Sequence, residues 1–202
     1  MRRVIGIALI GAIAIIAGLG AQGQSAGRGP ATAKSALPIV VFDVDKKGSF
    51  EVEFYPNDAP KSVEHILTLV RRNFYNGVRV HRFEPGFVVQ FGDPLTRDMT
   101  RKSSWGSGGS GRSVGVAEIS PKRTHKLGTV ALAHAGNPAT TADSQMYICV
   151  NSDPNRYSYM NGKYAVIGQV ISGMPVVQQI RELDIIRARL KAPAPVPSAK
   201  KP

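Results

Sequence analysis

Cysteine is nearly missing from this 202-residue chain, with a single residue at position 149. One thiol excludes an intramolecular disulfide and any metal site built from several cysteines. Cys149 lies between Ile148 and Val150 in an apolar run, where a buried, inert thiol is the simplest reading. Histidine is scarce too, and His65, His81, His125 and His134 show none of the close spacing that zinc sites use. Neither a metal nor a cofactor is expected. Acids are in short supply, with 14 Asp and Glu against 26 Lys and Arg and a formal net charge of +12. Such an excess ordinarily suggests nucleic acid. Here Arg101, Lys102, Arg112, Lys122, Arg123 and Lys126 fall around expected loops rather than along one helical face. They read as a solvated basic surface, suited to weak contact with anionic membranes or acidic clients, and no nucleic-acid partner is expected.

The chain begins Met1-Arg2-Arg3, continues apolar from Val4 to Leu19, and ends that stretch in small residues through Gly23. A basic start, an apolar middle and a small-residue end make a secretory signal. Residues 1–23 are therefore expected to be a signal peptide, with an uncleaved membrane anchor as the alternative. The apolar run is slightly short for a bilayer span of roughly 20 residues. Residues 24–36, rich in Gly, Ser and Ala, read as a flexible spacer. Residues 191–202 hold four prolines and three lysines and are expected to be disordered. What remains, residues 37–190, suits one domain with a substantial core.

Within that domain Ile39-Val40-Val41-Phe42-Asp43-Val44 and Phe50-Glu51-Val52-Glu53-Phe54-Tyr55 flank a Lys46-Lys47-Gly48 turn. Phe50, Val52 and Phe54 alternate, which predicts an antiparallel hairpin with one wet face. A helix follows, with Asp58 as N-cap, Pro60 in the first turn, and Val63, Ile66, Leu67, Val70 and Phe74 as its packing stripe. Asn76-Gly77 is expected to end it. His65 falls beside the stripe as a surface or boundary residue. Residues 93–126 are long, polar and glycine-rich, a composition that marks functional or mobile segments. Strands are expected again over 127–133, 146–150 and 164–171. A second helix is expected near Met174-Pro175, its apolar side formed by Val176, Val177, Ile180 and Leu183. Ile186, Ala188 and Leu190 then alternate as a closing strand. Many strands, two helices and no βαβ rhythm predict a mainly β fold, a closed antiparallel barrel.

Two patterns in the glycine-rich segment fail on context. Gly106-Ser107-Gly108-Gly109-Ser110-Gly111 matches a dinucleotide fingerprint, but no strand precedes it and no helix-forming run follows. Gly111-Arg112-Ser113-Val114-Gly115 matches a nucleophile elbow and lacks the same strand-to-helix turn.

The most informative stretch is Val80-His81-Arg82-Phe83-Glu84-Pro85-Gly86-Phe87-Val88-Val89-Gln90-Phe91-Gly92-Asp93-Pro94. Two β-forming runs meet at Pro85-Gly86, placing a fixed cation and a neutral amide among apolar neighbours. A charge on such a surface is costly without a partner or a task, although a solvated strand-end arginine is the plain alternative. By period two, Arg82 is expected to share a face with Val78 and Val80.

This stretch resembles the cyclophilin family of peptidyl-prolyl isomerases. So do Gly128-Thr129-Val130-Ala131-Leu132-Ala133-His134-Ala135, Asp143-Ser144-Gln145-Met146-Tyr147-Ile148-Cys149, and Met160-Asn161-Gly162-Lys163-Tyr164-Ala165-Val166-Ile167-Gly168-Gln169-Val170, all in family order. The likeness to small bacterial exported members covers residues 37–190. It implies a closed eight-stranded antiparallel barrel capped by two α-helices, and a monomeric isomerase acting on proline-containing polypeptides in the periplasm or outside the cell. Arg82 aligns with the family's catalytic arginine and Gln90 with the glutamine that supports it. Phe87, Val88, Tyr147, Met160 and Tyr164 align with the proline pocket, and Ala133, His134 and Gln145 with further substrate contacts. Without the resemblance, Tyr147 and Met160 read as plain core.

Several positions depart from the family pattern. Val88 replaces methionine, Tyr147 replaces phenylalanine and adds a hydroxyl needing a partner, and His134 replaces asparagine. Tyr159 stands where drug-sensitive members carry tryptophan, while Trp105 lies elsewhere in the sequence, so weak cyclosporin binding is expected. Two other readings stay open: a proline-peptide receptor or holdase with little turnover, and a structural role at the cell envelope.

Overall fold

The computed structural model describes residues 37–192. The expected leader and spacer lie outside the described residues, as does the tail beyond residue 192. Among the described residues, no helix is long and apolar enough to cross a membrane.

Nine strands are found among the described residues: β1 (Ile39–Val44), β2 (Gly48–Phe54), β3 (Val78–Arg79), β4 (Arg82–Glu84), β5 (Val88–Phe91), β6 (Thr129–Leu132), β7 (Met146–Cys149), β8 (Val166–Ser172) and β9 (Ile185–Leu190). They form one antiparallel sheet in the order β3-β9-β1-β2-β8-β6-β7-β5-β4. The helices are α1 (Pro60–Arg71), the unforeseen single turn α2 (Pro138–Thr141), and α3 (Met174–Gln179).

Nine strands instead of eight have a local cause. β3 pairs with β9 while β4 pairs with β5, and only Val80 and His81 separate them. Val80 N–H donates to Asp184 O at 2.9 Å, whereas the next residue, His81, donates its N–H to Gln90 O at 3.3 Å. The two ends of the strand order are thus consecutive pieces of one run of chain. The sheet curls back on itself through covalent backbone rather than through a β3–β4 ladder. The same break turns Arg82 outward: Val78 and Val80 are fully buried, but the Arg82 side chain is 48% exposed. They do not share an environment, contrary to the period-two expectation.

Strand alternation distributes the apolar residues of β5, β6 and β7 over two faces. Val89, Phe91, Val130, Leu132, Met146 and Ile148 point into the main core, where Phe42 stacks on Phe50 at 5.1 Å and meets Phe91 edge-on at 5.6 Å. Val88, Ala131, Tyr147 and Cys149 point the other way, into a second, smaller apolar cluster with Tyr157, Met160 and Val166. These strands are therefore buried on both sides. The expected β1–β2 hairpin forms, with Phe50, Val52 and Phe54 all inside.

α1 begins at Pro60, but Asp58 does not cap it. Arg123 takes the Asp58 carboxylate instead, with Nη2 at 2.7 Å and Nε at 2.9 Å, while its guanidinium lies 3.6 Å over the Tyr55 ring. Arg123 is therefore not part of a free basic surface. Glu118 does the capping from a distant loop, accepting Lys61 N–H at 3.0 Å and Ser62 N–H at 2.7 Å. That carboxylate satisfies donors which the helix leaves open at its positive end.

The helix stops before Asn76-Gly77. Asn73 takes a left-handed φ of 56°, Asn73 N–H bonds Val70 O, and Phe74 N–H bonds Leu69 O, which together form a Schellman stop. At the other end of the domain α3 buries Val177 but ends at Gln179. Leu183 is not on its apolar side; with φ 76° and 41% exposure it belongs to the turn into β9.

Candidate functional site

The site is built on one row across the outer side of the curled sheet. Arg82 on β4 lies opposite Gln90 on β5, Gln90 opposite Tyr147 on β7, and Tyr147 opposite Ala131 on β6. Residues directly opposite in an antiparallel pair project to the same face. Hydrogen bonding, β-branching and the Pro85-Gly86 turn set this register, with Phe87 N–H closing on Glu84 O at 2.9 Å.

A chain of amides runs from Arg82 along this row. Arg82 Nη1 donates to Gln90 Oε1 at 3.4 Å, and Arg82 Nε donates to Glu84 Oε1 at 3.4 Å. Gln90 Nε2 donates to Gln145 Oε1 at 3.0 Å, and Gln145 Nε2 donates to Gly106 O and Gly108 O, each at 2.8 Å. Both arginine contacts sit at the long end of the hydrogen-bond range, so the guanidinium is guided without being consumed.

Beside it lies a hollow of about 560 Å³. Arg82, Gln90, Phe87, Val88, Ala133, His134, Tyr147, Met160 and Tyr164 all line it. Gln145, the remaining residue expected at the site, instead lines an adjoining groove of about 820 Å³, which shares Gln90, Gly106, Ala133 and His134 with the hollow. Phe87 is sandwiched, with Tyr157 at 5.5 Å and Tyr159 at 6.3 Å, both near parallel. Tyr157 is pinned from below: its hydroxyl donates to Phe87 O and accepts Asn151 N–H, each at 2.7 Å. The hydroxyl that Tyr147 brings meets His125 Nε2 at 2.8 Å.

His81, Glu84 and Trp105 also line the hollow. His81 and Glu84 flank Arg82 in the sequence and were legible from that. Trp105 was not, because it arrives from the long loop, held by its Nε1–H on Asp98 O at 3.2 Å. That loop is gathered by two carboxylates. Asp93, fully buried, accepts the N–H groups of Leu95 at 2.7 Å, Gly106 at 2.5 Å and Gly108 at 3.1 Å. Asp143 accepts from Ser110 Oγ at 2.5 Å and contacts His65 Nε2 at 2.9 Å. A Cβ on Gly108 would fall 2.1 Å from Asp93 Oδ1, and one on Gly109 2.4 Å from Asp143 Oδ2. Gly108 and Gly109 admit these carboxylates, whereas Gly106 and Gly111, the other two glycines of the apparent dinucleotide fingerprint, take φ of 90° and 87°.

Burial dominates the electrostatics. It lowers the pKa of His81, partly offset by the charge of Asp93 and by contacts with Gln145 and the Arg79 backbone. It raises the Tyr147 hydroxyl well above the ordinary range. It also pushes the Cys149 thiol up to about 12, as befits an unreactive cysteine in the floor. Nucleophilic chemistry has no candidate here. The arrangement offers one outward cation with spare donor capacity beside an open hollow walled in part by aromatic rings.

A sequence model of the family described as cyclophilin type peptidyl-prolyl cis-trans isomerase/CLD matches residues 39–200. A probable peptidyl-prolyl cis-trans isomerase of Brucella abortus (strain 2308) is 39% identical over 140 residues, 68% of this chain and 68% of that protein. A peptidyl-prolyl cis-trans isomerase of Helicobacter pylori (strain ATCC 700392 / 26695) is 33% identical over 144 residues, 70% of this chain and 80% of that one. Among solved structures, a Cryptosporidium parvum cyclophilin type peptidyl-prolyl cis-trans isomerase superposes with a TM-score of 0.64 at 24% identity, covering 78% of this chain and 99% of that one. A second structure of the same parasite protein, in the presence of the dipeptide Ala-Pro, gives 0.63 with 77% and 99% coverage. At that identity the likeness concerns the fold; the sequence matches carry the family. The chain belongs to the cyclophilin-type peptidyl-prolyl cis-trans isomerases.

Proposed function

We propose that this isomerase assists the folding of exported proteins and that Arg82 drives the rotation. The peptide-bond barrier is about 18–20 kcal/mol because rotation destroys amide resonance. Unaided X-Pro isomerisation takes tens to hundreds of seconds, slow enough to limit folding. In the twisted state the prolyl nitrogen regains a lone pair and becomes an acceptor. A donor aimed at that lone pair favours the twisted state over either planar form, and only such a difference accelerates the reaction. Arginine suits this task because it is planar, permanently charged and rich in donors.

The observation that carries the reading is the placement of the Arg82 guanidinium at the lip of the hollow, tethered to Gln90 and Glu84 by long contacts. The proline ring fits the apolar floor of Phe87, Val88, Tyr147, Met160 and Tyr164. Gln90 orients the arginine, and Ala133, His134 and Gln145 border the peptide on the groove side. Clients are proline-containing polypeptides, met outside the cytoplasm if residues 1–23 act as a leader. The basic surface favours weak contact with anionic membranes, and no nucleic acid enters.

Exchange spectroscopy by NMR on an Ala-Pro peptide tests this. Wild type should accelerate cis-trans exchange, and Arg82→Ala should lose on the order of 10²–10³ in kcat/KM. Equal rates in wild type and Arg82→Ala would remove the arginine mechanism. Background rates in both, with retained peptide binding, would leave a proline-peptide receptor. A mature N-terminus near residues 22–24, read from the exported protein, tests the leader.

A further inference from the structure

The buried His125 has no part in the reading above, yet it touches the pocket floor. It is 1% exposed and sits between two partners. Asn161 Oδ1 lies 2.9 Å from Nδ1 and also accepts the His125 backbone N–H at 2.8 Å. An amide oxygen can only accept, so Nδ1 carries the ring proton and Nε2 is left as an acceptor. The Tyr147 hydroxyl fills that acceptor at 2.8 Å, with the two rings near parallel at 5.9 Å. Tyr164 closes the group, edge-on to His125 at 6.4 Å and to Tyr147 at 5.6 Å. Tyr147 and Tyr164 line the proline hollow, whereas His125 stands behind them.

We propose that His125 is a positioning residue: in its neutral, Nδ1-protonated form it holds the Tyr147 hydroxyl in place, and taking up a proton loosens the pocket and weakens substrate binding. The inference rests on the isomerase reading of the same site. A proton on Nε2 turns that nitrogen into a donor and drives the Tyr147 hydroxyl to accept. The displaced hydroxyl hydrogen then needs a new acceptor in a dry site, or the ring must move into the hollow. A buried donor left unmade carries its full desolvation penalty.

The groups facing His125 do not rescue the charge. Tyr147 comes from β7, Tyr164 from the approach to β8, and Asn161 from the turn after residues 154–160; none is a carboxylate. Among the described residues His125 has no ion-pair partner. Burial accordingly lowers its pKa, partly offset by Asn161. The neutral form holds at ordinary pH and is lost on acidification.

The test measures kcat and KM for an Ala-Pro peptide between about pH 5 and 8, the range in which histidine charge changes matter. In wild type kcat/KM should fall below a midpoint lower than about 6.5, the ordinary histidine value. The fall should approach about tenfold per pH unit and lie mainly in KM, because only the neutral fraction binds. Tyr147→Phe should flatten the profile, since no hydroxyl remains to be displaced. His125→Gln, a partner that does not titrate, should flatten it too if the phenylalanine variant folds poorly. His134→Asn and His81→Asn should each keep the limb, which separates the buried histidine from the two that line the hollow.

Nitrogen-15 spectra should show Nε2 of His125 unprotonated at neutral pH and titrating with the same midpoint. A flat wild-type profile, a limb that survives in both Tyr147→Phe and His125→Gln, or a proton on Nε2 at neutral pH overturns the proposal. Wild type inactive at every pH would sink the isomerase reading instead. In that case the pH dependence of Ala-Pro peptide affinity and the Nε2 spectrum still decide the role of His125.

Discussion

The two faces of β5, β6 and β7 are both dry, but they are dry in different ways. The inner face is apolar throughout, with Val89, Phe91, Met146 and Ile148 fully buried. The outer face mixes Val88 and Ala131 with Tyr147, Tyr157 and Cys149, and their polar atoms are tied to His125, Phe87 O and Asn151 N–H. An all-apolar face holds the fold and can do little else. A face that keeps satisfied polar groups next to an open hollow can bind a peptide without collapsing over it. The difference predicts that inner substitutions are read in stability and outer ones in activity.

The largest effect should come from Phe42→Ala. It removes a ring stacked against Phe50 and edge-on to Tyr75 and Phe91, and should cost about 3–5 kcal/mol in urea unfolding. A loss below about 1 kcal/mol would mean the inner cluster is not the main core. Arg82→Ala is the mirror image. Half exposed and loosely tethered, it should leave the unfolding midpoint nearly unchanged, while its activity loss corresponds to roughly 2.7–4 kcal/mol of transition-state stabilisation. A variant equally damaged in both would blur the division.

Legibility in the sequence follows the same division. Period-two alternation shows Phe50, Val52 and Phe54 turned inward on β2, because that strand has one wet side. β6 and β7 give no such signal, since Thr129–Leu132 and Met146–Cys149 are buried at every position. Which residues face the hollow came from the family resemblance, and not from periodicity. What stayed hidden depends on contacts between distant parts of the chain. Glu118 caps a helix 56 residues away, and Asp93 reaches forward 15 residues to clasp Gly108. The Tyr147 hydroxyl announces in the sequence that it needs a partner, but only the fold shows that the partner is His125.

A smaller effect separates the groove rim from both faces. Asp143 joins α1 to the glycine-rich loop through His65 and Ser110, and the His65 and Asp143 side chains are both mostly buried. Burial raises its pKa, but the hydrogen bonds from His65 and Ser110 and the His65 charge outweigh it, so the net shift is downward. A depressed carboxylate contributes stability that is present above the unfolded value of about 3.9 and lost as pH falls through the folded one. Asp143→Asn should therefore cost about 1–3 kcal/mol near neutral pH and much less in acid. A cost that does not shrink on acidification would assign the effect to shape instead of charge.

The smallest effect belongs to the far side of the same sheet, where the outer face is wet. On β1 and β9 the outward face carries Asp43, Arg187 and Arg189 beside a buried Val41: Asp43 lies opposite Arg187 in register, Arg187 reaches Asp45 at 3.6 Å, and Arg189 reaches Asp43 at 3.4 Å. Arg187 and Asp45 are 50% and 44% exposed, so water screens the pair and competes for it. Arg187→Ala should shift stability by no more than about 1 kcal/mol, less in high salt, with kcat/KM unmoved. One sheet thus carries an outer face that is dry over β5–β7 and solvated over β1 and β9. The dry part has side chains from elsewhere, Met160, Tyr157 and Tyr164, folded over it. If Arg187→Ala disturbed isomerisation as strongly as the outward residues of β5 and β7 do, the contrast between those two stretches would not explain where the site lies.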